Sequence, residues 1–147
     1  MLTYPHAEEP PRSIIKTPAQ IEGIRKAGEI NSMVLDSVAE MIGEGVSTQE
    51  IDDLVAKRTA NLGGICACLG YQGYPKNVCT SIDDVVCHGI PDPKRILQSG
   101  DIVNVDCTTI VDGFYGDASR MFLIGEVSEE KKKLVQVTNC LLYTSPS

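Results

Sequence analysis

Asp106 and Asp117 lie in the run Asp101-Ile-Val-Asn-Val-Asp-Cys-Thr-Thr-Ile-Val-Asp-Gly-Phe-Tyr-Gly-Asp-Ala-Ser-Arg-Met-Phe-Leu-Ile124, where two apolar, β-branched stretches flank Asp112-Gly113. That dipeptide readily supplies the two positive-φ residues of a type I′ turn, so the run predicts a β-hairpin. With a two-residue turn, Val111 faces Phe114, Thr108 faces Asp117 and Asp106 faces Ser119. Side chains alternate along a strand, which puts Asp106, Thr108, Asp117 and Ser119 on one face. The two aspartates become diagonal neighbours with Cα atoms roughly 7–8 Å apart. Carboxylates at that separation can converge on one divalent cation or a close metal pair. The plainer reading is a solvated face, since alternating sheets turn polar residues outward.

His88 is the one histidine in the body of the chain, where Val85-Val86-Cys87 meets Gly89. A glycine there lets backbone or ligand approach closely, although a lone histidine at a strand end is often structural. Cys68, Tyr71, Tyr74 and Cys79 gather around the Gly-rich stretch Gly70-Tyr-Gln-Gly-Tyr-Pro75. They read either as a loop pinned by two aromatic rings or as the wall of a pocket for a small apolar group. Phosphate-cradling glycine loops and the Gly-x-Ser-x-Gly nucleophile elbow are both absent from the sequence.

Helices must carry these segments. Thr17-Pro18-Ala19-Gln20 has the form of a capping box with proline at N1. Ile21, Ile24, Gly28, Leu35, Val38 and Ile42 then recur on one helical face until Gly43-Glu44-Gly45. Ser47-Thr48-Gln49-Glu50 is a second capping box, with Ile51, Leu54 and Val55 inward and Gly63-Gly64 as the stop. Short β-like runs follow at 65–69, 78–82 and 85–87, the last two separated by an Asp83-Asp84 turn. Ser128 reads as the N-cap of a last helix, with Leu134, Val135, Leu141 and Leu142 as its buried side. Two helices, then strands with a hairpin, then a helix make an α+β chain.

Composition narrows the functions. The 147 residues, 42% hydrophobic and 22% charged, suffice for one globular domain. Thirteen basic against 20 acidic side chains give a net charge of -7, which argues against a nucleic-acid or anionic-membrane surface. Six cysteines form no Cys-x-x-Cys pair, so zinc-ribbon and thioredoxin readings find no support and reduced cytoplasmic thiols are expected. Residues 1–13 lack the apolar core of a signal peptide, and no run approaches the ~20 apolar residues of a membrane span.

Several motifs in order resemble methionine aminopeptidase of the bacterial type I: Ala67-Cys-Leu-Gly-Tyr-Gln-Gly-Tyr-Pro-Lys-Asn-Val-Cys79, Val86-Cys-His-Gly-Ile-Pro91, Gly100-Asp-Ile-Val-Asn-Val-Asp106 and Asp112-Gly-Phe-Tyr-Gly-Asp117. The resemblance runs from about residue 14 to 139. It implies the N-terminal half of the pita-bread (creatinase/aminopeptidase) fold: two helices, then a β-sheet with a metal-site hairpin. Domains follow as an arm at 1–16, a half-domain at 17–139, and an atypical tail at 140–147 that resembles translated sequencing adaptor. By the same resemblance Asp106 chelates one metal and Asp117 bridges two, the cofactor being two divalent ions (Mn, Fe, Co or Zn). His88 contacts the substrate near its N-terminus, and Cys68, Tyr71, Tyr74 and Cys79 line the pocket for the methionine side chain. The implied reaction is removal of the initiator methionine from nascent polypeptides by a metal-bridging hydroxide. The implied setting is cytoplasmic, at the ribosome, as a monomer when complete. The family's site also needs a histidine and two glutamates that no residue after Asp117 matches, so the chain reads as a fragment expected to be inactive alone. A non-catalytic peptide-binding module of the same fold is the alternative.

Overall fold

The computed structural model describes residues 15–144; the expected arm and the end of the tail lie largely outside them. Helix α1 spans Pro18–Met41 and α2 spans Thr48–Asn61, each opened by its expected capping box: Thr17 with Gln20, and Ser47 with Glu50. The strands are β1 (Ile65–Cys66), β2 (Cys79–Ile82), β3 (Ile102–Val111) and β4 (Phe114–Leu123), followed by α3 (Glu129–Thr144). All pairings are antiparallel. β4 lies along the whole of β3, so β1 and β2 share the opposite edge of β3 end to end.

Both α1 and α2 cover one face of this sheet. Val34, Leu35 and Val38 of α1, Ile51 and Val55 of α2, and Val103, Val105 and Cys107 of β3 form a single core, closed by Leu97 and Ile124. The buried face of α1 differs from the one expected. Ile21 and Ile24 are exposed, and the helix instead turns Gly23, Ala27 and Asn31 toward the hairpin. Small residues four apart let two backbones approach closely. At Gly116, a Cβ would run into the Ala27 carbonyl. Asn31 is buried and bridges helix to strand, its Nδ2 donating to the Cys107 carbonyl at 2.9 Å while its Oδ1 accepts from Thr109 Oγ1 at 2.9 Å.

Three further expectations change. The run 65–69 is a strand only over Ile65–Cys66, because the chain bends at Ala67 and Cys68 and vacates the edge that β2 then occupies. Residues 85–87 form no strand: Val86 stands 95% exposed, and His88 at φ 55° breaks the extended path before a ladder can form. The last helix is capped by Ser128, as expected, its Oγ accepting from the Lys131 N–H, but the expected buried side is open. Leu134, Leu141 and Leu142 are all exposed, and Val135 is half-buried. Lys131 tethers α3 to the body through Asp83 Oδ1 at 2.6 Å and the Gly100 carbonyl at 2.7 Å. Among the described residues no helix is long and apolar enough to cross a membrane.

Candidate functional site

The hairpin turns through Asp112 (φ 51°) and Gly113 (φ 82°), both in the left-handed region a type I′ turn requires. Its register has Val111 opposite Phe114, Thr108 opposite Asp117 and Asp106 opposite Ser119, as the two-residue turn predicts. On the other edge Cys79 stands opposite Asp106. Because paired residues share a face, Cys79, Asp106, Thr108, Asp117 and Ser119 point away from the helices together. Asp117 is exposed and held by Thr108, whose Oγ1 donates to Oδ1 at 2.9 Å. Asp106 is half-buried. Burial, and then the neighbouring Asp117 charge, push its carboxyl above the ordinary aspartate range, while His88 pulls it down. The two aspartates and the imidazole therefore share one electrostatic environment.

His88 is exposed on a left-handed backbone, a conformation that persists where the surroundings enforce it. The enforcement comes from Gly89. Its carbonyl accepts the Thr80 N–H at 2.8 Å and the Tyr74 hydroxyl at 3.0 Å, and its N–H donates to Ser81 Oγ at 3.2 Å. A Cβ at Gly89 would collide with the Thr80 carbonyl, so the close approach foreseen for this glycine is made by backbone. Tyr74 also donates to the Val78 carbonyl at 3.1 Å. Burial, and then the adjoining Cys79, raise the Tyr74 hydroxyl far above its ordinary value and keep it a donor.

A cavity of about 380 Å³ opens on the same face, lined by Ala67, Cys68, Tyr71, Thr108, Ile110 and Tyr115. Of the residues expected at a pocket wall, Cys68 and Tyr71 line it. Tyr74 and Cys79 do not line the cavity, and the Cys79 and Cys68 thiols shift one another's ionisation. Interaction with Cys68 raises the Cys79 thiol, with burial adding to it, and interaction with Cys79 lowers Cys68 against the opposing effect of burial. Ile110 and Tyr115 are the wall residues that motif reading missed. The signal was available, since they continue the alternation Asp106, Thr108, Ile110 and Tyr115, Asp117, Ser119 and face each other in the register. Asp52 of α2 holds the far end of the cavity loop: it is buried and accepts from the Asn77 N–H at 2.7 Å, Asn77 Nδ2 at 2.9 Å and the Val78 N–H at 3.3 Å.

Two oxygen-rich carboxylates on one face suit a divalent cation in kind. They fall short in number, for among the described residues no cluster of three or more His, Cys, Asp or Glu is placed to hold a metal.

Residues 22–144 match metallopeptidase family M24. The chain belongs to that family. Within M24 it is similar to methionine aminopeptidase A of Synechocystis sp., at 51% identity over 123 residues, covering 83% of this chain and 49% of that protein. The methionine aminopeptidase of Escherichia coli K12 is 47% identical over 130 residues, covering 88% and 49%. The crystal structure of methionine aminopeptidase from Rickettsia prowazekii superposes with a TM-score of 0.85 at 42% identity, over 88% of this chain and 52% of that one. The expected α+β half of the pita-bread fold is thus the M24 fold observed, and the chain spans about half the length of the relatives it matches.

Proposed function

We propose that this M24 chain is the N-terminal half of a metal-dependent methionine aminopeptidase, acting on the N-termini of nascent polypeptides in the cytoplasm, as a monomer when complete. The observation carrying the reading is the hairpin face, where Asp106 and Asp117 stand beside a cavity of sulfur and aromatic groups. Asp106 and Asp117 would hold divalent metal, from the Mn, Fe, Co and Zn group that tolerates carboxylate with imidazole. Such ions, when bound, supply Lewis-acid polarisation of a peptide carbonyl and activation of water.

The remaining roles belong to the chain's own side chains. Thr108 fixes the orientation of the Asp117 carboxylate. His88, presented by the Gly89 anchor, meets the substrate near its N-terminus. Cys68 and Tyr71 form the wall against which a thioether packs, because polarizable sulfur favours soft and aromatic surfaces. Tyr74 and Cys79 support that wall. About 380 Å³ sits at the small end of ligand pockets and suits a single side chain.

Two carboxylates do not complete a dinuclear site, so we propose that residues 1–147 alone do not turn over substrate. We assign the half-domain to 17–139, with 1–16 as an arm and 140–147 as a tail outside it. A chimera joining residues 1–139 to the second half of the Synechocystis relative tests the whole reading. With added Mn or Co it is expected to release methionine from a Met-Ala peptide while the 147-residue chain does not. Turnover by the isolated chain refutes the half-site reading. A folded chimera that binds the peptide without cleaving it supports a non-catalytic binding module instead.

A further inference from the structure

β4 is hydrogen-bonded along one edge only. The Ala67 N–H donates to the Thr108 carbonyl at 2.9 Å and the Asp83 N–H to the Ile102 carbonyl at 3.0 Å. The even-numbered residues of β3 thus turn their peptide groups toward β1 and β2. Its odd-numbered residues bond β4, through Phe114, Gly116, Ala118, Arg120 and Phe122 opposite them. That leaves the N–H and C=O groups of Tyr115, Asp117, Ser119, Met121 and Leu123 pointing out of the sheet. Among the described residues β4 pairs with β3 alone, and no other backbone group bonds this edge. The strand runs one-to-one against β3 over its 10 residues, without proline or bulge. Native sheet edges are commonly blunted by such interruptions, by shortness or by cover. The opposite edge is blunted: β1 has 2 residues, and the Gly89 carbonyl takes the Thr80 N–H of β2 at 2.8 Å.

We propose that β4 pairs antiparallel with β4 of a second copy of this chain, about a two-fold axis at Ser119, joining two sheets into one. In that register Ser119 faces Ser119, Asp117 faces Met121 and Tyr115 faces Leu123, so every outward peptide group of the edge finds a partner. No like charges stand directly opposite. Centring the pair on Asp117 instead would set two carboxylates face to face and leave Met121 and Leu123 unpaired. Tyr115 and Leu123, 59% and 42% exposed, each gain an apolar neighbour. On the other face Ala118 is exposed and Phe114 and Phe122 are half-buried, which offers further apolar surface to the second copy. The charges of β4 are already engaged within their own copy, Arg120 with Asp36 at 2.9 Å and Asp117 with Thr108 at 2.9 Å. The contact is isologous and uses the one long open edge among the described residues, so it closes at two copies instead of growing into a filament. It concerns the 147-residue chain, and rests on backbone geometry and not on the peptidase reading.

The test is sedimentation of the 147-residue chain over a concentration series, at moderate salt to screen the charge of -7 on each copy. A reversible monomer–dimer equilibrium is expected. Residue-resolved hydrogen exchange should show the Asp117, Ser119 and Met121 amides gaining protection as concentration rises, while those of Gly116, Ala118 and Arg120 are protected throughout. Ser119→Lys and Ser119→Asp each set like charges opposite at the axis and should weaken dimerisation at least ~10-fold. Mixed together, the two variants should recover it as a heterodimer. Leu141→Gln combined with Leu142→Gln, on the exposed side of α3, should leave it unchanged. A chain that stays monomeric at every concentration overturns the proposal. So does a dimer lost in the α3 variant and indifferent to Ser119→Lys, or association that does not stop at two copies.

Discussion

The two faces of the β3–β4 hairpin are made by the same residues' neighbours and do opposite things. Inward, Val103, Val105, Cys107, Thr109 and Val111 are all buried against the helices. Burial pushes the Cys107 thiol up to about 12, so it stays neutral and acts as a small hydrophobe. Outward, Asp106, Thr108, Ile110, Tyr115, Asp117 and Ser119 remain half-buried or exposed, and Thr108, Ile110 and Tyr115 line the cavity. Adjacent residues of one strand thus separate stability from chemistry by a single step of the pleat. The comparison teaches that the open face is tolerated because the closed face holds the sheet in shape.

The comparison can be broken from either side. The largest expected effect is on the open face. Asp106→Asn or Asp117→Asn in the active chimera should reduce turnover by more than ~100-fold, since even outer-sphere partners of metal ligands cost 10–100-fold. The same variants should not lower the melting temperature of the metal-free chain, because each removes one of two neighbouring carboxylates whose charges repel. On the closed face, Leu97→Ala should cost about 2–5 kcal/mol in denaturant unfolding, the range for an emptied core leucine. Thr108→Val is intermediate in kind: it keeps the shape but loses the 2.9 Å bond to Asp117, and calorimetric Mn affinity of the chimera should fall about 10-fold.

The smallest effect concerns the tether of α3. Burial raises the Asp83 carboxyl, but the Lys131 ammonium and the Ile102 N–H outweigh it and hold the group below its ordinary value of 3.8. The unfolded chain then binds more protons than the folded one in that interval. The Asp83 contribution is present above about pH 4 and is lost as pH falls through the lower folded value. Asp83→Asn should flatten this part of the acid limb in a melting-temperature series from pH 5 downward. In hydrogen exchange, the exposed α3 amides are expected to exchange well before those of β3.

Much of this was legible in the chain. The capping boxes, the Asp-Gly turn and the hairpin register are local, each decided by a few neighbouring residues, and the structure reproduces them. The Gly23–Ala27–Asn31 face of α1 was not legible, because periodicity counts apolar residues and this contact is made by small ones. Residues 85–87 looked like a strand by composition, yet strand formation needs an available edge and an extended backbone, which His88 denies.

By itself, then, the sequence determined the turn, the alternation and hence which side chains share a face with the two aspartates, since these follow from backbone periodicity and local turn chemistry. Only the tertiary structure decided that Ile110 and Tyr115 complete a cavity and that Gly89 anchors His88. Those facts depend on which edge of β3 each segment occupies, a choice made by long-range pairing and packing rather than by any stretch of residues alone.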